Sequence, residues 1–203
     1  MYVLGVTGGI GSGKSTASNL FEALGAVVIN LDDLAKKLIG AGGPLAQPVI
    51  EAFGPEVRGS DDGVDTAALA ALAFASPESV RRLNNLVHPG VYAAAAGALD
   101  VLAEMPEPPE MIVIDIPLLT ESPEFFDLLD AVLVISASED VRVARLVARG
   151  MREDDVRARM ALQASDAERR AIADWVIEND GEPVDFEAQL VALYDGELQP
   201  RGA

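Results

Sequence analysis

The chain has 203 residues, 33 acidic and 15 basic side chains, a net charge of −18, no cysteine and half its residues apolar. That length fits one domain over residues 1–203 with room for insertions, and the dense apolar runs exclude a disordered acidic chain. The absence of Cys excludes a disulfide scaffold, a thiolate metal site and cysteine nucleophile chemistry, and the charge opposes general binding to nucleic acid or anionic membrane. No run reaches the roughly 18 consecutive apolar residues of a membrane helix. The opening Met1-Tyr-Val-Leu-Gly5 lacks the charged n-region of a signal peptide, so a cytoplasmic location is expected.

In chain order, the first predicted element is a buried strand, Tyr2–Thr7. It runs into Gly8-Gly-Ile-Gly-Ser-Gly13-Lys14-Ser15, which matches G-x-x-x-x-G-K-S/T. Glycines let backbone N–H groups turn inward around a phosphate, and the helix that follows presents its positive N-terminus. In such a loop Lys14 reaches the β- and γ-phosphates, and the Ser15 hydroxyl ligates Mg²⁺. The spacing predicts that helix over Lys14–Leu24, with Gly25 as its stop.

A second strand, Val27–Asn30, leads into Leu31-Asp32-Asp33. A carboxylate at the C-terminal edge of a parallel sheet can accept a proton from an attacking hydroxyl, and Asp32 is the candidate. The competing reading makes Asp32 or Asp33 a helix N-cap before Leu34-Ala-Lys-Lys37, with Asp33 the better cap. About eighty residues then separate the second strand from the third, far more than one crossover needs. Helices are expected over Pro44–Phe53, Asp65–Phe74, Pro77–Val87 and Gly90–Ala103, with His88-Pro89 ending the third. The stretch 34–108 reads as a helical insertion with a substrate-binding role. A lone His is commonly a cap or core hydrogen-bonder, and with no second His and no Cys a zinc site is not expected.

The third strand, Met111–Ile116, carries Asp115 near its end, the usual place for a Mg²⁺-associated carboxylate, often through water. A structural Asp bonded to loop N–H groups is the other reading. A fourth strand, Ala131–Ser136, precedes an arginine-rich stretch, and Trp175–Glu178 is the fifth strand. Arg142, Arg145 and Arg149 share one helical face, and eight of the fifteen basic residues lie in 142–170. They form either a salt-bridged solvated face or a lid that brings guanidinium forks to ATP phosphates. Strands alternating with helices imply an α/β fold with a parallel sheet and right-handed crossovers.

Together these residues resemble the dephospho-CoA kinase family. The resemblance rests on Leu4-Gly-Val-Thr7 through Thr16, Asp32, Leu83-Asn-Asn-Leu-Val-His88-Pro89 and Asp115-Ile-Pro117-Leu118-Leu119. It extends through Arg145 to Gln163-Ala164 and Ala173-Asp-Trp-Val-Ile177-Glu-Asn179, covering roughly 2–195 in family order. It implies a P-loop NTPase, nucleotide-kinase-like three-layer fold with a five-stranded parallel sheet. The parts would be a core (1–33, 109–144 and 167–203), a CoA-binding insertion (34–108) and a lid (145–166). The implied reaction is ATP-dependent phosphorylation of the ribose 3′-hydroxyl of dephospho-CoA, the last step of coenzyme A synthesis, with Mg²⁺. Asp32, Lys14 and Arg145 would be catalytic. Gly9, Ile10, Gly11, Ser12, Gly13, Lys14, Ser15, Thr16, Arg145 and Arg149 would bind ATP, with Asn179 near the adenine. Thr7, Asp32, His88, Pro117 and Leu118 would meet dephospho-CoA, and Ser15 and Asp115 would hold the metal. A monomer with no nucleic-acid or membrane partner is expected. Two features depart from the family pattern: Asn30 stands where many members have Asp, and Arg149-Gly-Met-Arg152 is one residue short.

Three other functions fit parts of the pattern. A kinase for another small acceptor is opposed by the long insertion and by Leu83–Pro89. A non-catalytic nucleotide-binding regulator is opposed by Asp32 beside an intact Lys14-Ser15. A nucleic-acid-stimulated ATPase conflicts with the acidic composition.

Overall fold

The computed structural model describes residues 1–73 and 75–198. Five parallel strands form one sheet in the order β2-β3-β1-β4-β5. They are β1 (Tyr2–Thr7), β2 (Val27–Asn30), β3 (Met111–Asp115), β4 (Ala131–Ser136) and β5 (Trp175–Glu178). All but β3 have the bounds expected from their β-branched apolar runs. β3 ends one residue early, although Ile116 N–H still bonds Val6 O at 2.9 Å.

The sheet is the frame of one of two compact units, formed by residues 1–30 with 102 onward. Alternate strand residues divide between its faces. Leu4, Val6, Val113, Leu133, Ile135 and Ile177 pack with Phe21 of α1 (Lys14–Ala23) and with Phe186 and Leu190 of α9 (Pro183–Leu193). The residues between them, Val3, Ile112, Ile114, Val132 and Val134, are buried too. Apolar residues on both faces are what a fully covered parallel sheet requires. Register aligns the C-terminal edge of the sheet: Asn30 of β2 and Val6 of β1 both pair with Asp115 of β3.

Between β4 and β5 lie α6 (Glu139–Ala148), α7 (Glu153–Ala161) and α8 (Asp166–Ala171). Val143 and Leu146 of α6 and Val156 of α7 form a small core against Ile10 of the glycine loop, Met151 and Met160. Helix α8 starts with a capping box between Ser165 and Glu168.

The second unit is Leu31–Val101. It holds α2 (Leu31–Ile39), α3 (Ala46–Phe53), α4 (Thr66–Ala73) and most of α5 (Pro77–Ala103). Phe74, where the predicted helix Asp65–Phe74 ends, lies outside the described residues, as do 199–203 at the end of the expected core.

Two local expectations are corrected. His88-Pro89 does not end a helix, because α5 runs through it for 27 residues. Pro89 removes one intrahelical donor. Yet Val87, Val91, Ala95 and Leu99 are buried at four-residue spacing on both sides of it, so apolar burial continues across the break. Nor is Asp33 an N-cap. Strand β2 passes directly into α2 at Leu31, which is buried, and this puts Asp32 and Asp33 inside the first turn. Asp33 there accepts a 2.8 Å ion pair from Lys36. By length and composition alone, Glu78–Ala103 is also long and apolar enough to cross a membrane.

Candidate active site

The loop after β1 owes its shape to particular glycines. Gly11 and Gly13 have φ of 81° and 107°, a region other residues rarely occupy. At Gly13 a side chain would also strike the Asn179 carboxamide. That carboxamide is 5% exposed and supports the loop from β5. Its Nδ2 donates to Ser12 O at 2.7 Å, its Oδ1 accepts from Arg145 Nη2 at 3.2 Å, and Asn179 N–H bonds Ser136 O at 2.7 Å. Asn179, expected near the adenine, thus has its side chain taken up by the loop and by Arg145. The loop is latched at a second point, where Ile10 N–H donates to Gln163 Oε1 at 3.0 Å.

The Lys14 ammonium makes an ion pair with Asp115, which is 1% exposed at the end of β3. Ser18 Oγ, one helical turn beyond Lys14, donates to the other Asp115 oxygen at 3.0 Å. A carboxylate offers about four acceptor positions, so this one keeps capacity for another partner. Nucleotide-bound Mg²⁺ takes one or two protein oxygens and fills its remaining positions with phosphate and water. Asp115 and the exposed Ser15 hydroxyl are hard oxygen donors of that kind and fit the ion. Among the described residues no group of three His, Cys, Asp or Glu forms a closed metal cage.

The arginines of 142–170 divide between the two readings. Arg157 pairs with Glu139 and Glu153, each at 2.8 Å, and Arg170 with Asp166 and Glu178, each at 2.5 Å. These behave as a salt-bridged face. Burial alone would raise the Asp166 carboxyl, but hydrogen bonds from Arg170 and Ser136 outweigh it and hold it below its ordinary value. Arg142, Arg145 and Arg169 turn inward instead. Among the described residues, Arg142 Nε and Arg145 Nη1 are buried with no protein partner, as is Ser12 Oγ in the loop. Burial first, and the adjacent Arg169 second, push the Arg142 guanidinium below its usual value, against opposing pulls from Asp166 and Glu139. A cleft of about 750 Å³ opens here, lined by Ser136, Arg142, Arg157, Gln163, Arg169 and Glu178 among others.

Of the sequence candidates, Gly9 to Thr16, Asp115, Arg145 and Asn179 come together at this edge of the sheet. Thr7 is buried, and Pro117 and Leu118 are half-buried after β3. Arg149 is exposed at the C-terminal cap of α6. Asp32 is exposed in the first turn of α2, and His88 is half-buried within α5; both belong to the other unit. Sequence reasoning missed Ser18 and the contact of Gln163 with the loop, and it placed Arg142 and Arg169 in the arginine-rich stretch without separating them from its salt-bridged members. The i+4 spacing of Ser18 from Lys14 was a usable signal.

The family model for dephospho-CoA kinase matches residues 2–185. The chain belongs to the dephospho-CoA kinase family. A dephospho-CoA kinase from Frankia casuarinae is 38% identical over all of this chain and 86% of that protein. One from Mycolicibacterium paratuberculosis is 39% identical over 98% of this chain, and there the chain spans only 48% of the relative's length. A crystal structure from Thermus thermophilus superposes with a TM-score of 0.77 at 34% identity, covering 97% of each chain. The fold is accordingly that of a P-loop kinase, and kinases of this family catalyse the last step of CoA biosynthesis.

Proposed function

We propose that this chain transfers the γ-phosphoryl group of ATP to the ribose 3′-hydroxyl of dephospho-CoA. The observation that carries the reading is the Gly8–Ser15 loop, with Lys14 against Asp115 at the C-terminal edge of a parallel sheet. Gly9 to Thr16 cradle the ATP phosphates through backbone N–H groups and the α1 N-terminus. Lys14 leaves Asp115 for the β- and γ-phosphates and offsets the charge that builds up in transfer. Arg145 adds a second cation, oriented by Asn179, and Arg149 a third as 145–166 closes like a lid. Ser15 and Asp115 hold Mg²⁺, which when bound neutralises phosphate charge. Asp32 orients the acceptor hydroxyl and takes its proton. Support for Asp32 is its place two residues beyond Asn30, the register partner of Asp115. Thr7, His88, Pro117 and Leu118 contact dephospho-CoA, with residues 34–108 as its binding insertion.

The same reading has the chain working as a cytoplasmic monomer with no nucleic-acid or membrane partner. The net charge of −18 supports the absence of nucleic-acid and anionic-membrane partners. A panel of acceptors with ATP and Mg²⁺ tests the substrate assignment. ADP release should need dephospho-CoA and should be weak with nucleoside monophosphates or sugars. Equal release with those acceptors would reject the assignment.

A further inference from the structure

Arg142 and Arg169 are the two cations of the 142–170 stretch that approach the glycine loop at one point. A Cβ built on Gly9 would collide with Arg142 Nη1 and lie 3.1 Å from Arg169 Nη2. Both guanidiniums therefore lie over the Cα of Gly9, and the missing side chain is what leaves them room. Arg169 is 6% exposed, and its Nη1 donates to Ala164 O, which fixes the fork in place. Arg142 is half-buried with an unpartnered, buried Nε. Two like charges packed side by side repel, and burial strengthens the repulsion. Asp166 and Glu139 offset part of it but are bound elsewhere, Asp166 to Arg170 and Ser136 and Glu139 to Arg157. An anion shared between two forks relieves the repulsion and uses their free donors, and phosphate oxygens match guanidinium geometry.

We propose that Arg142 and Arg169 form a clamp for the phosphate chain of the bound nucleotide, additional to Lys14, Arg145 and Arg149. The proposal rests on the reading of the Gly8–Ser15 loop as the nucleotide site. Arg142 is the gripping member, because it retains unused donors. Arg169 is the anchored member, tied to the backbone of the 145–166 segment.

Binding of ATP, inorganic triphosphate and adenosine to the full chain, measured by titration calorimetry, tests this. The proteins are wild type, Arg142→Gln, Arg142→Lys and Arg169→Gln, with Arg58→Gln as a control for loss of one exposed charge. Arg142→Gln should weaken ATP and triphosphate about tenfold or more, the usual loss for a charge-assisted hydrogen bond, and leave adenosine within about twofold. Arg142→Lys, which keeps the charge and loses the fork, should fall between. Arg58→Gln should match wild type. ATP affinity within twofold of wild type in Arg142→Gln would overturn the clamp, and so would an equal loss of adenosine and ATP. Arg169→Gln can fail to fold because it releases Ala164 O, and Arg142→Gln then decides alone. Wild type that binds neither ATP nor triphosphate would remove the nucleotide reading itself; wild type that binds both, with unaffected variants, removes only the clamp.

Discussion

Replacing Asn179 by Ala tests how the loop is held. The substitution deletes a buried donor to Ser12 O at 2.7 Å and an acceptor for Arg145 Nη2 at 3.2 Å. Two groups lose their partner, and Arg145 already has one unpartnered nitrogen. An unsatisfied buried group costs about 1–3 kcal/mol, so the pair should cost about 2–4 kcal/mol once Arg145, which is only half-buried, is discounted for water access. For a chain of this size that is a fall in melting temperature of about 4–16 °C. The effect should also reach function, because the loop backbone and Arg145 lose the same support. KM for ATP should rise together with a fall in kcat. Asn179→Asp separates the two contacts. Its carboxylate still accepts from Arg145 but faces Ser12 O with an oxygen in place of a donor. Stability should partly recover and KM for ATP should stay high. Scanning calorimetry and steady-state kinetics on the three proteins provide the readout. An Asn179→Ala protein that melts within 1 °C of wild type with unchanged KM would refute the supporting role.

Asp32→Ala should retain ATP affinity and lose most phosphoryl transfer, measured by calorimetry and by CoA formation; full turnover in this variant would reject Asp32 as the base. Lys14→Ala should lower turnover by about 100-fold or more, the usual loss of a preorganised charge at the transferring group, and a change under about threefold would exclude that role. Asp166, held below its ordinary 3.8 by Arg170 and Ser136 against the effect of burial, contributes stability that is whole above that value and fades as pH falls through its lowered folded value. The melting difference between wild type and Asp166→Asn should therefore be constant near neutrality and shrink below about pH 4. A difference that grows in acid would reverse the assigned sign.

The sheet was legible because parallel strands covered on both faces leave continuous β-branched runs, and the loop because its glycines and Lys14 lie consecutively. Helix α5 was not. The rule that proline stops a helix acts through one backbone donor, whereas the buried stripe from Val87 to Leu99 acts over the whole element. The competing reading of Asp33 as a cap stayed open because nothing local shows that β2 enters α2 with no intervening turn. The arginines show the limit most directly. Arg169 and Arg170 are neighbours of identical chemistry, yet one is buried over Gly9 and the other pairs with Asp166 and Glu178. Their fates depend on where α8 packs, a long-range fact with no local sequence signal. The charge of −18 is likewise compatible with polyanionic substrates, because Lys14, Arg142, Arg145 and Arg169 concentrate positive charge at one edge of the sheet.

The most direct test of the central claim is the product formed from dephospho-CoA, ATP and Mg²⁺ by the purified chain, identified by mass and by phosphorus NMR. The account predicts CoA, one phosphate heavier than the acceptor and substituted at the ribose 3′-oxygen, in step with ADP. ADP without a phosphorylated acceptor, or a phosphate placed elsewhere on dephospho-CoA, would contradict it.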